Sequence, residues 1–237
     1  MAKAGLEPDS NTTRPIYLHL TSNETLLIEA WEVLKNLHKD GHVVPVAAVN
    51  VVLEATIKLG YLEKAVGLYK ELHRICEGGP NTETFNVLLQ GTSRIAQGAV
   101  SNKGAAMFLA SEMRALGIKA DWLTYDRFIL VCLQEEDFED AFRYLEEMKT
   151  VGADKEEKGR KGWWMRKGTA SLLIRRCVNT GDPRAWNLLA EVEDRGFDDG
   201  RLREWVETNW KGSEFLERSQ EKETIEQLVK PLKWAVV

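Results

Sequence analysis

Long apolar runs are missing from this 237-residue chain. The most apolar stretch, Val43 to Leu53, is broken by Pro45 and Asn50 and falls well short of the roughly 18–20 residues that cross a bilayer, so membrane insertion is excluded. Cysteine is scarce: Cys76, Cys132 and Cys177 stand far apart, which fits neither a disulfide framework nor a zinc knuckle and leaves buried reduced thiols as the expectation. Histidine is scarce as well. His19, His38, His42 and His73 show no metal-site spacing, and Gly41 separates the one close pair. A glycine-rich phosphate cradle is absent, and acid clusters such as Glu135–Glu136–Asp137 or Asp198–Asp199 sit in turns, where solvated carboxylates need no chemical explanation. These absences argue against an enzyme, with no catalytic residues, metal, cofactor or small-molecule substrate. Basic excess is lacking too: the formal charge is −5, so any nucleic-acid surface must be local. The first ten residues carry Glu7 and Asp9 and no apolar block, unlike a secretory signal or an Arg-rich presequence.

What is present is helical periodicity. Strand-type alternation is rare, whereas apolar residues recur at three and four, as in Leu62–Ala65–Val66–Leu68–Tyr69–Leu72–Cys76 and Ala141–Tyr144–Leu145–Met148. Each reads as the second helix of a hairpin. Small polar residues mark starts at Ser22 or Asn23, at Asn102, and at Asp182 before Pro183. Gly41, Gly117, Gly152 and Gly196 mark stops, each expected in the left-handed conformation.

Laid against itself, the chain repeats. Val49–Asn50–Val51–Val52–Leu53 aligns with Phe85–Asn86–Val87–Leu88–Leu89 and, more loosely, with Tyr125–Asp126–Arg127–Phe128–Ile129. A small residue, Ala65 or Ala141, follows in the second helix. The middle copy reaches its Ala106, Met113 and Gly117 late, so the segment from Arg94 to Gly104 reads as an insertion. Weaker copies flank these, around Ala30 and Gly41 and around Ala185 and Gly196. Two antiparallel helices per repeat cannot bury their stripes alone, and stacking neighbours does so.

The openings Pro80–Asn81–Thr82–Glu83–Thr84–Phe85–Asn86 and Asp121–Trp122–Leu123–Thr124–Tyr125–Asp126, with closes such as Glu112–Met113–Arg114–Ala115–Leu116–Gly117 and Glu147–Met148–Lys149–Thr150–Val151–Gly152, resemble the pentatricopeptide repeat family. The resemblance covers residues 1–196 and implies an all-α fold, a right-handed superhelical α-solenoid of helix-turn-helix repeats. Residues 197–237 do not repeat and are expected to form a C-terminal helical cap or tail. Met1 to Asp9 resembles a repeat close, so the chain is expected to start inside a longer array. The family is mostly mitochondrial or plastid, which implies a mitochondrial location.

The resemblance also implies single-stranded RNA as partner, bound one base per repeat for RNA processing, stability or translation. Carried over by position, the readers are Asn50 paired with Asn81, suggesting a pyrimidine, and Asn86 paired with Asp121, suggesting uracil. Asp126 stands where a third Asn belongs, while Pro15 and Ala170 hold the outer places and offer no side-chain hydrogen bond. For Asn50, Asn86 and Asp126 the alternative role is capping of helix-start amides.

Independently of the resemblance, the stretch from Lys155 to Arg176 gathers eight cations against Glu156 and Glu157. Lys158, Arg160, Lys161, Arg166, Lys167 and Arg175 can neutralise phosphates there, and Trp163 and Trp164 can stack bases. Packing of the two Trp between hairpins is the alternative. Trp205, Trp210, Phe215 and Leu216 make the C-terminal segment amphipathic, as a cap or a protein-docking surface. A protein-interaction scaffold in a mitochondrial assembly or ribosome-associated complex is therefore the second functional expectation.

Overall fold

A computed structural model describes residues 10–76, 78–92, 102–157, 160–197 and 200–210, and at residues 10–12, 62, 156, 157, 160 and 161 it describes the backbone alone. Among these residues eleven helices run in order: α1 (Ser10–Leu20), α2 (Glu24–Lys39), α3 (Val46–Lys58), α4 (Leu62–Ile75), α5 (Thr82–Thr92), α6 (Asn102–Ala115), α7 (Trp122–Gln134), α8 (Phe138–Val151), α9 (Lys167–Thr180), α10 (Arg184–Asp194) and α11 (Arg201–Asn209). None of the described helices is long and apolar enough to cross a membrane. Two compact units divide the chain, residues 1–164 and 165–237.

The first unit is an α-solenoid of helix pairs, α1/α2 through α7/α8. Its odd-numbered helices form one continuous layer, α1 on α3, α3 on α5 and α5 on α7, and each carries its even-numbered partner on the other side. The side chains explain this division. Helix α3 is apolar nearly all round, with Val49, Val51, Val52, Leu53, Ala55 and Ile57 all buried, and a helix of that kind needs neighbours on every side. Helix α4 has a stripe instead: Ala65, Leu68, Tyr69 and Leu72 are buried while Val66 stays half exposed. Even-numbered helices therefore need one packed face only, and clefts open between them. Phe85 is fully buried and meets Tyr69 edge-on, with ring centroids 5.8 Å apart, which ties the second pair to the third.

Most expected punctuation is present. Asn23 caps α2, its Oδ1 accepting from the Thr25 N–H at 2.9 Å, and Asp182 Oδ1 accepts from the Arg184 N–H at 2.9 Å at the start of α10. Gly41, Gly117 and Gly196 take φ of +77°, +68° and +67°. Gly152 does not: its φ is −94°, open to any residue. Space requires the glycine there, because a Cβ would stand 2.3 Å from Cβ and Cγ of Trp163.

Two details concern the irregular segments. Helix α6 already begins at Asn102, so the insertion ends before Gly104; residues 93–101 lie outside the described residues. Within the basic stretch, a short antiparallel ladder of two residues a side pairs β1 (Glu156–Glu157) with β2 (Arg160–Lys161), and the described elements are otherwise all helices. Its register sets Glu156 opposite Lys161 and Glu157 opposite Arg160.

In the second unit α9 packs on α10 and α11 packs on α9. Gly181, at φ +70°, ends α9, and Leu202 and Val206 bury the inner face of α11. Phe215 and Leu216 lie outside the described residues.

All three cysteines are free and buried. Burial pushes the Cys76 and Cys132 thiols up to about 11 and that of Cys177 to about 12. Because each holds its proton to higher pH in the folded state, the stability linked to them is intact below their ordinary 9.0 and is lost as pH rises through the raised values. A thiol-reactive dye at neutral pH is expected to label none of the three in the native protein and all of them after unfolding. Stoichiometric labelling of the native state would show an open thiol.

Candidate nucleic-acid interface

The repeat junctions of the first unit bring both expected pairs together. Asn50 lies one turn inside α3, and its Nδ2 donates to Asn81 Oδ1 at 3.2 Å and to Glu83 Oε2 at 3.4 Å. Asn86, one turn inside α5, donates from Nδ2 to the Asp121 carboxylate at 3.1 and 3.3 Å. A carboxylate only accepts, so the amide orientation of each Asn is dictated by chemistry: the NH2 faces the acid and Oδ1 faces the other way.

A threonine occupies that other side in both junctions. Thr84 Oγ1 lies 2.8 Å from Asn50 Oδ1, and Thr124 Oγ1 lies 2.8 Å from Asn86 Oδ1. These hydroxyls also complete helix caps. Asp121 Oδ1 accepts from the Thr124 N–H at 2.8 Å while Thr124 Oγ1 accepts from the Asp121 N–H at 3.2 Å, and Asn81 and Thr84 make the same reciprocal pair at 3.0 and 3.1 Å. The junction is thus a three-residue polar knot, with an Asn from one repeat closed against the cap of the next. Thr84 and Thr124 escape a search for base-reading residues, but their signal is legible as a polar residue three places after Asn81 and after Asp121.

Burial decides what the knots can offer. Asn50 and Asn86 are 3% and 4% exposed, and Asp126, inside α7, is fully buried. None of the three caps its own helix start. The half-buried members are Asn81 and Asp121, so the accessible edge of each junction belongs to the cap residue, and the Asn stands behind it as the group that orients it.

The comparisons with known proteins agree with this repeat geometry. A family model described as "Pentatricopeptide repeat-containing protein" matches residues 1–72, and one described as "PPR repeat" matches residues 123–152. Residues 1–72 and 123–152 are thus similar to pentatricopeptide repeats. Between the two matches lies the pair α5/α6, which carries the insertion. No curated protein matches the sequence. Among solved structures, the pentatricopeptide repeat protein PPR10 in complex with an 18-nt psaJ RNA element is similar at 21% identity and TM-score 0.52, over 96% of this chain and 30% of that one. The maize PPR10 structure is similar at 20% identity and TM-score 0.52, over 99% of this chain and 31% of that one. The chain therefore spans about 30% of the length of these structures, and at such identity the likeness shows the fold.

The basic stretch divides between the units. In the first, Trp164 is only 7% exposed and Lys149 Nζ sits 4.9 Å from its ring centroid, so a base cannot stack on it as the sequence suggested. Trp163 is half-buried over Gly152. Arg160 and Lys161 are placed as strand positions only, and Lys158 lies outside the described residues. In the second unit Arg166, Lys167 and Arg175 are exposed, and the Arg175 guanidinium stacks 4.3 Å from the Trp205 centroid. Trp210 meets Trp186 edge-on at 5.5 Å, so the rings of Trp205 and Trp210 are engaged within the unit. Among the described residues no cluster of three or more His, Cys, Asp or Glu could hold a metal ion.

Proposed function

We propose that this chain binds single-stranded RNA in mitochondrial RNA processing, stability or translation, and catalyses no reaction. The observation that carries the proposal is the recurrence of one polar knot at successive repeat junctions, each leaving a single amide or carboxylate edge, Asn81 or Asp121, half exposed. Edges of that kind can match the donors and acceptors of a splayed base, while Asn50 and Asn86 hold them in place. The RNA complex of the similar PPR10 structure supports the reading, and the mitochondrial setting rests on family resemblance.

Binding of fluorescent oligoribonucleotides to the full chain, followed by anisotropy against salt, tests this. Affinity is expected to fall steeply with salt, and neutralising Lys158, Arg160, Lys161 and Lys167 is expected to flatten the log–log slope by about 0.7 for each lost phosphate contact. If no homopolymer binds at low salt, the second reading stands: a protein-interaction scaffold. A specific feature favours it, the half-exposed Val66 and exposed Phe108 beside an apolar cleft of about 350 Å³ between α4 and α6.

A further inference from the structure

We propose that the cleft between α6 and α8 holds one nucleotide of the bound RNA strand, next to the Asn86–Asp121 junction; the inference rests on the RNA-binding reading above. The cleft measures about 930 Å³; Phe128 from α7 and Tyr144 from α8 are buried in its wall, stacked on each other at 5.1 Å, so the rings it presents are the half-buried Tyr125 and Trp163. Arg114, Lys119, Arg143 and Lys155 stand around it against Asp121 and Glu147. Arg143 is committed, bonded to Asp140 at 2.9 Å and resting 5.1 Å from the Tyr144 centroid. Lys119 and Lys155 are exposed and have no carboxylate partner among the described residues.

Repeat geometry alone does not produce this chemistry. The cleft one repeat earlier, between α4 and α6, also has rings, Tyr69 and the exposed Phe108, but Glu112 is its one charged residue and no cation lines it. Only the later cleft combines ring faces with uncommitted cations, in a protein whose net charge is −5. A nucleotide presents those two complements, a flat base for a ring face and a phosphate for an ammonium. An aliphatic peptide would leave the cations unused, and an acidic one without rings would leave the ring faces unused. The site is also continuous with the reading junction: Asp121 lines the cleft and closes on Asn86.

The experiment compares the full chain with Lys119→Ala/Lys155→Ala, both surface residues, checking by circular dichroism that each protein is folded. Probes are a short oligouridylate containing 4-thiouridine for crosslinking, uridine monophosphate, and an acidic Tyr-containing peptide. The variant is expected to bind the oligonucleotide roughly five- to tenfold more weakly at low salt, with a salt slope about 1.4 smaller, and wild-type crosslinks are expected on Tyr125 or Trp163. Unchanged affinity with crosslinks elsewhere overturns the cleft site and leaves RNA binding standing. If the monophosphate binds in a Lys119- and Lys155-dependent way and no oligonucleotide does, the nucleotide cleft stands and the RNA-binding reading falls. Sensitivity of the peptide alone overturns the nucleotide assignment, and binding of none of the three overturns both readings.

Discussion

Asn86→Asp is expected to cost about 3–4 kcal/mol of folding stability at neutral pH, the scale of an uncompensated charge in a nearly sealed site. The wild-type amide donates to both oxygens of Asp121 and is 4% exposed. An aspartate there turns the donor into a second acceptor and sets two carboxylates face to face, with the Thr124 hydroxyl able to donate to one of them only. The pair then holds a proton to higher pH folded than unfolded. The folded state therefore binds more protons, and the penalty relative to wild type is small in acid and grows as pH rises through the raised value. Urea titrations of both proteins across the acid range measure it. A difference from wild type that ignores pH would show that Asp121 does not face residue 86. Asn86→Ala, which deletes the donor without adding charge, is expected to lose about 2 kcal/mol at every pH.

Replacing Gly152 by Ala is expected to cost about 2–3 kcal/mol, as overpacking against the root of a large side chain does. The backbone makes no objection at φ −94°. The obstacle is the Trp163 side chain, whose Cβ and Cγ would lie 2.3 Å from the new methyl and cannot swing aside without moving their own main chain. Trp163 N–H donates to the Gly152 carbonyl at 3.3 Å, and the Lys155 N–H donates to the same oxygen at 3.0 Å, so the turn entering the β1–β2 hairpin is anchored on this residue. Gly117→Ala serves as the contrast. Its φ is +68° with nothing within 4 Å, so it is expected to lose only the about 1–2 kcal/mol of a left-handed alanine. Denaturant unfolding by tryptophan fluorescence compares the two; a Gly152→Ala protein as stable as wild type would show that Trp163 sits elsewhere.

Gly152 also shows how far reading by residue type extends. A glycine after a periodic run reads as a left-handed stop, correct for Gly41, Gly117 and Gly196, because chain conformation there is local. At Gly152 the cause is a ring arriving from eleven residues downstream, which no local pattern announces. Trp164 repeats the lesson. Two adjacent Trp among cations suggest a stacking surface, yet Lys149, a turn before the end of α8, covers one face of the second ring.

Helix pairs, their order, their caps and the repeat itself follow from spacing and from Asn, Asp, Gly and Pro at helix ends, since these act through backbone geometry within a few residues. The pairing of Asn50 with Asn81 and of Asn86 with Asp121 was legible through family resemblance. That Asn50 and Asn86 are closed inside polar knots, with Thr84 and Thr124 as third members, was settled only when successive helices packed, because a side chain's exposure depends on neighbours some 31 to 38 residues away. The same holds for the two clefts: one helix stripe, repeated, makes both, and the side chains that happen to meet across each gap leave one without a cation and line the other with several.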